Sequence, residues 1–404
     1  MWKSYKLKEF LSFYSTNSLS RSNLNYENGN IKNIHYGDIH TKFPSIINCE
    51  TEEIPYINLD IDSSRIKEDS FCKDSDLIIA DASENYDDIG KAIELINVGN
   101  QKIVAGLHTI LARDTEDITV SGFKGYLFQT DNLKKQIKII TNGISVLGIS
   151  KNNLKNLYVN IPSKEEQEKI VRFLFLIDRK IDLLEKTLVL YQKIKKHILE
   201  QIFANLKCES ESLDKVTFYQ EGPGVRNYQY TKEGIKLLNV GNFVENELIL
   251  ENTDRYISEE EAYGKYKHFL VDEGDLLIAC SGIKAEYFDE KITFAKKEHL
   301  PLCMNTSTMR FKTLNENKLN LNYLKWYFQT VMFKKQIFGV LTGSAQFNFG
   351  PTHLKYLKVL IPPIEQQIVI SNFLDFLKNH TDKLSKEIYL MKEYKKGLLQ
   401  KMFV

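Results

Sequence analysis

Apolar residues recur along two stretches of the chain with a period of seven. Ile170, Ile177, Leu184, Tyr191 and Ile198 form one row, and Leu174, Ile181, Leu188 and Ile202 a second row four places later, so one apolar seam runs through about five heptads. The spacing predicts a long helix within 161–206. Ser163 and Glu166 stand at capping-box spacing, acidic residues crowd the first turn and basic ones the last, all of which suit a helix dipole. A second seam follows in 361–404, with Ile370, Leu377, Leu384, Met391 and Leu398 in one row and Leu374, Ile388 and Met402 in the other; Lys195 and Lys395 interrupt the two seams at matching places. Each stripe needs a partner. The two are most simply buried against each other, antiparallel, although each can also pack on its own domain. Residues 1–160 and 207–360 read differently. Short β-rich runs such as Leu77-Ile78-Ile79, Ala92-Ile93-Glu94-Leu95-Ile96 and Gly234-Ile235-Lys236-Leu237-Leu238 alternate with Gly and Asn turns, then give way to short helical stretches near 126–138 and 322–338. Two compact α/β domains are expected there.

The halves are copies. Shifted by 200 positions, residues 126–204 and 326–404 agree at 27 of 79 places without a gap, where composition alone predicts about 5. The matches include Phe128-Gln129-Thr130 with Phe328-Gln329-Thr330, Lys134-Lys135-Gln136-Ile137 with Lys334-Lys335-Gln336-Ile337, and Ile161-Pro162, Glu165 and Gln167 with Ile361-Pro362, Glu365 and Gln367. A weaker echo pairs Asp76-Leu77-Ile78-Ile79-Ala80 with Asp275-Leu276-Leu277-Ile278-Ala279, and the first third of each copy has diverged. Similar ends with dissimilar fronts suggest one scaffold carrying two specificities.

Composition narrows the class. At 404 residues, 43% hydrophobic and 26% charged, with 20 Gly and 8 Pro, the chain is an ordinary folded protein of two or three domains. No apolar stretch has signal-peptide or membrane-spanning length, which predicts a cytoplasmic protein. Cys49, Cys72, Cys208, Cys280 and Cys303 stand far apart and read as reduced structural thiols. The net charge is +1, and the two fronts carry 18 basic against 21 acidic and 20 against 20 residues, so any nucleic-acid face must be a local patch.

Catalytic signatures are missing. No Asn or Asp precedes a proline, excluding the amino-methyltransferase loop, and there is no phosphate-binding Gly-rich loop, His-Glu-x-x-His or Gly-x-Ser-x-Gly. The chain is therefore expected to be non-catalytic and to bind no cofactor. Glu316-Asn317-Lys318 and Glu393-Tyr394-Lys395 have a nuclease-like Glu-x-Lys spacing but read as solvated surface, and His108, in Gly106-Leu107-His108-Thr109-Ile110, as a structural residue or a site residue. What remains are polar, Gly-rich turns. Glu221-Gly222-Pro223-Gly224-Val225 is followed by Arg226, Asn227, Gln229, Tyr230 and Lys232; Arg, Asn and Gln are the side chains able to bond guanine or adenine edges bidentately. Thr342, Gly343, Ser344, Gln346 and Asn348 place hydroxyls and amides where a phosphate can approach backbone. Either segment can equally be a plain surface turn.

The duplicated layout, the Ile-Pro-x-x-Glu-x-Gln lead-in to each helix and Thr342-Gly343-Ser344-Ala345-Gln346 together resemble the DNA specificity subunit of type I restriction-modification systems. Gly222-Pro223-Gly224-Val225-Arg226 with Gln229-Tyr230, and Ala80-Asp81-Ala82-Ser83-Glu84 with Gly106-Leu107-His108-Thr109, resemble motifs of its recognition domains. The resemblance implies an α+β chain: a target-recognition domain (1–160), a spacer helix (161–206), a second recognition domain (207–360) and a second spacer helix (361–404), with the helices paired as an antiparallel coiled coil. It implies that each domain reads one half of an asymmetric site on double-stranded DNA. It also implies two methyltransferase subunits as partners carrying AdoMet, and restriction or translocase subunits carrying ATP and Mg. In the first domain it points to Ser83 and His108, and to Asn142 and Ser145 in Asn142-Gly143-Ile144-Ser145-Val146, which stands where the second copy has 342–346. On the residues alone, a protein-only coiled-coil scaffold and a methyltransferase or nuclease with unrecognised motifs stay open. Helices of about 42 residues, roughly 60 Å long, would suffice to hold two domains about one DNA turn of 34–36 Å apart.

Overall fold

The computed structural model describes residues 2–340 and 347–403. Two units emerge: residues 1–185 with 386–404, and residues 186–385. In the first, a five-stranded sheet runs in the order Leu11–Tyr14, Thr109–Asp114, Leu77–Ala80, Ala92–Ile96, Ile46–Asn48, antiparallel except for the last pair. A four-stranded sheet (Ile103–Ala105, Lys32–Ile34, Tyr56–Ile57, Leu24–Asn25) lies over one face. Leu77 and Ile79 point into a core shared with helices Phe123–Leu127 and Asp131–Ile140, while Ile78 and Ala80 point into the core shared with the second sheet. A strand buried on both faces needs a continuous apolar run rather than alternation, which is what the Leu-Ile-Ile-Ala segment supplies.

The second unit repeats this plan. Its four-stranded sheet is ordered Thr217–Glu221, Thr308–Thr313, Leu276–Ala279, Ile292–Phe294, with a three-stranded sheet of Tyr256–Ile257, Ile235–Leu238 and Leu302–Met304. Buried Asp76 and Asp275 explain the upstream echo. Asp76 takes a two-pronged contact from Arg113 at 2.8 and 2.7 Å, and Asp275 takes Arg310 at 3.3 Å, so each copy pins its central strand to its neighbour by an ion pair.

The two long helices span Lys164–Ala204 and Ile364–Met402. Ile170, Leu174, Ile177, Ile181, Ile370, Leu374 and Ile388 are buried, and Leu184, Leu188, Leu377, Leu384 and Met391 half-buried. Within the first unit the helices face each other antiparallel, with Lys180 against Glu387, Glu185 against Lys392 and Asp178 against Lys395. Within the second, Tyr191 packs on His380 with ring centroids 4.7 Å apart. Both expected uses of the stripe are realised: Ile170, Leu174 and Leu399 enter the core of the first domain, and Ile370, Leu374, Leu199 and Phe203 that of the second. The interrupting lysines differ. Lys395 bonds Asp178 at 2.6 Å and lies over the Tyr126 ring, so it is not the solvated residue expected of Glu393-Tyr394-Lys395. Lys195 is half-buried, and burial pulls its ammonium pKa down while Asp382 opposes the shift.

The repeated glutamines are latches. Gln167 accepts from Val120 N and donates to the carbonyls of Ile118 and Pro162; Gln367 does the same with Asn320 N, Lys318 and Pro362. Each fixes the start of a long helix to its own domain. Gln136 and Gln336 complete a two-way bond with the backbone of Tyr158 and Lys358.

Candidate nucleic-acid interface

Each domain gathers three turns at one end of its main sheet, and the backbone bonds there repeat. In the first, Asp81 N donates to His108 O and Ile149 N to Asp81 O; in the second, Cys280 N donates to Ser307 O and Phe349 N to Cys280 O. Strand Leu147–Gly148 pairs with Ala82–Ser83, as Phe347–Asn348 pairs with Ser281–Ile283. The loop after the edge strand completes the rim: residues 15–23 after Leu11–Tyr14, and 222–229 after Thr217–Glu221. Both loops end in a 3-10 turn held alike, Ser20 N donating to Asn23 Oδ1 and Arg226 N to Gln229 Oε1.

In the second domain, Gly222 is required by close approach: a Cβ there would meet the Asn305 backbone at 2.3–2.6 Å. The turn that follows exposes Arg226, Asn227, Tyr228 and Lys232. Tyr230 is half-buried under the Arg255 guanidinium. Gln229 corrects its expected role as a base contact. It is buried, and its amide donates to Glu261 at 2.6 Å and the Tyr266 hydroxyl at 3.0 Å, so its polar groups are spent shaping the turn. Asn348 is exposed, with its carbonyl oxygen taken by Ser281 Oγ and Gly282 N. Burial raises the carboxyl pKa of Glu221 at the base of this rim, opposed by a bond from Thr306. Thr342, Ser344 and Gln346 lie outside the described residues.

In the first domain His108 adopts a left-handed backbone (φ 52°) and stands half-exposed, with Nδ1 3.4 Å from Asp81 and its ring edge-on to Tyr36. Burial raises the Asp81 pKa, and His108 opposes the shift. Asn142 and Ser145 are exposed on a hairpin closed by the mutual bonds of Asn142 and Gly148. Ser83 is corrected: it is 4% exposed and its hydroxyl accepts from Asn85 N, which leaves it no open face. The loop 15–23 was not singled out by sequence. Its serines carry no motif, and only its place after the edge strand marks it.

Nucleophilic chemistry finds no support in the cysteines. Cys49, Cys72, Cys280 and Cys303 are buried, and desolvation pushes the Cys49 and Cys303 thiols up to about 12. Among the described residues no group of three His, Cys, Asp or Glu could hold a metal ion, and no helix is long and apolar enough to cross a membrane.

Two domains of one design, sharing a backbone frame and differing in the side chains on its rim, define a duplicated recognition protein. The profile of the type I restriction modification DNA specificity domain matches residues 1–196 and 225–390, and the chain belongs to this family. The MjaVIII type I restriction enzyme specificity subunit of Methanocaldococcus jannaschii is 23% identical over 296 residues, 68% of each chain. A putative MjaX specificity subunit of the same organism is 30% identical over 148 residues, 36% of this chain and 33% of the relative. Two solved structures share the fold. The S subunit of a type I restriction-modification system from M. genitalium has a TM-score of 0.55 at 12% identity, covering 100% of this chain and 96% of that one. A chain from a study of complex assembly and conformational transition of the type I R-M system has a TM-score of 0.62 at 14% identity, covering 100% and 97%. The protein is thus a type I specificity subunit with two target-recognition domains, the non-catalytic DNA-recognition component that works with methyltransferase and restriction subunits.

Proposed function

We propose that this chain reads an asymmetric, two-part DNA site, one half by each recognition domain, and holds two methyltransferase subunits over it. The observation that carries the reading is the repeated frame: the same backbone bonds support Asp81, His108 and a serine-rich loop in one domain and Cys280, Ser307 and an Arg226 loop in the other. One scaffold with two unlike surfaces suits two unlike half-sites. Exchanging residues 1–160 for the first domain of another specificity subunit is expected to change one half-site in the methylation pattern of cells carrying the complex and leave the other intact. A palindromic target, or both halves changing together, overturns the reading.

Partners fit the helices. Leu176, Leu183 and Leu190 recur at heptad spacing yet stay more than half exposed, and Phe376 and Leu390 occupy the equivalent places on the second helix. Two like apolar faces offer docking for two methyltransferase subunits, whose own cationic surface would neutralise phosphates that this nearly neutral chain does not. AdoMet then belongs to the methyltransferase partner, ATP and Mg to the restriction partner, and the complex to the cytoplasm. Arg226→Ala is expected to cost about 1–3 kcal/mol of specific binding and relax selection at one position of one half-site. Competition binding with single-base variants checks this; uniform weakening on every sequence would mark a phosphate contact instead.

A further inference from the structure

The first domain holds a cavity of about 500 Å³ between the loop 15–19, the turn 62–67 and the segments around Asp81 and His108. Its place in the frame matches that of the Arg226 turn, because residues 15–23 and 222–229 follow equivalent edge strands and end in equivalently bonded 3-10 turns. The chemistry on the two rims is distributed differently. The loop 15–23 has one cation, Arg21, and it is engaged: its guanidinium makes a two-pronged bond to buried Asp38 at 2.9 and 2.7 Å. Asn17 is likewise committed, donating to Asn33 and to the Ala105 carbonyl while its own oxygen accepts from Leu19 N. Ser15 and Ser18 are exposed on the loop, and the turn 62–67 contributes Arg65 and Lys67 to the lining of the cavity, both exposed. Arg65 is 92% exposed, and its ion pair with Asp62, itself mostly exposed, spans 3.9 Å, a contact too weak to hold it.

We propose that this cavity is the base-reading site of the first domain, taking the major-groove edge of a base pair in its half-site, with Arg65 as the guanine-reading side chain. The proposal rests on the DNA-reading function given above. Guanine offers two acceptors, O6 and N7, which match the two-pronged donors of a guanidinium. Asp81, lining the cavity beside His108, supplies an acceptor for the exocyclic amine of cytosine or adenine, and the serine hydroxyls serve either role. The second domain meets the same need by placing Arg226 within the loop itself. The first tethers its loop through Arg21 and Asp38 and brings the reading cation from a neighbouring turn.

The test uses the full chain assembled with its methyltransferase subunits and duplexes carrying the methylated target with single-base replacements. If the wild-type complex selects no sequence, the functional reading fails before the cavity is tested. If it does, Arg65→Ala is expected to weaken the specific duplex by at least about fivefold and to flatten discrimination at one position of the half-site owned by residues 1–160. Arg65→Lys should retain charge but not discrimination, since a point charge lacks the two-pronged geometry. Asp81→Asn should change preference within the same half-site. Unchanged discrimination in Arg65→Ala, an equal loss on every duplex, or a change confined to the other half-site would overturn the assignment. Exposure of Arg65 makes a folding defect an implausible source of the effect, and unchanged discrimination in the half-site of residues 207–360 controls for it.

Discussion

Replacing Lys124 with Met is expected to destabilise the first unit by about 3–5 kcal/mol near neutral pH, and by less in acid. Glu94 lies on the interior strand Ala92–Ile96, between Leu77–Ala80 and Ile46–Asn48, with no exposed surface. Its carboxylate accepts from Gly122 N at 2.9 Å, Gly125 N at 2.8 Å and Lys124 Nζ at 2.8 Å, at the start of helix Phe123–Leu127. Lys124 is 1% exposed, so the pair is shielded from solvent, and removing the cation strands a buried carboxylate. Burial already raises the Glu94 pKa, with Lys124 the largest force opposing it. Without Lys124 it rises further, and the sign follows: a folded-state pKa above the unfolded value means the native state holds the proton more tightly. Stability of the variant is therefore retained at low pH, and lost as pH climbs from the ordinary carboxyl range through the raised value. Urea unfolding of both proteins at pH 5 and pH 8 reads this as a penalty that grows with pH. The double variant Glu94→Leu, Lys124→Met should recover much of the loss, because an apolar pair leaves no stranded charge. A penalty below about 1 kcal/mol that ignores pH would show that the pair is immaterial. Phe294 sits at the corresponding place in the second domain, so the effect belongs to one copy.

Where sequence and structure agree, the information was local or repeated. A heptad seam is visible because every third or fourth residue reports the same face, and the bounds of both long helices follow from it. The run Asp76 to Ala80 was readable as a strand, although its Asp was explained only when Arg113 arrived from another strand to meet it. Gln167 and Gln367 stood out by identity between the copies, but an amide that binds a loop nearly fifty residues away has no local signature. The recognition rims were legible only in part. Gln229 looked like a reading side chain because it sits in a polar turn, and its capture by Glu261 and Tyr266 is a long-range event. Ser83 failed for the opposite reason, being small enough to disappear beneath the strand pairing it helps make. The loop 15–23 and Arg65 were missed because serine and an isolated arginine form no pattern; their significance comes from the frame that brings them to one cavity.

The long helices predict a second large effect, on the spacing of the target rather than on its bases. Both pass from one unit to the other, the first between Glu185 and Lys186 and the second between Ser385 and Lys386. Their contacts keep an antiparallel register on either side of those points, with Glu185 against Lys392 and Tyr191 against His380. Inserting one heptad at both points preserves the seam and adds about 10 Å of helix at 1.5 Å per residue, the rise of roughly 3 base pairs. Those base pairs also turn the second half-site by about 100° about the DNA axis, since 10–10.5 make one turn. The lengthened protein is expected either to prefer an altered spacer or to lose tight binding on every spacer if the rotation cannot be absorbed. Inserting seven residues in one helix alone should do more damage, because the apolar stripe of the other has nothing opposite the added segment and the latches at Gln167 and Gln367 keep both helix starts fixed to their own domains. Competition binding on sites whose spacer varies one base pair at a time separates these outcomes. A doubly lengthened protein that kept its original spacer preference at full affinity would show that the helices do not measure the distance between half-sites.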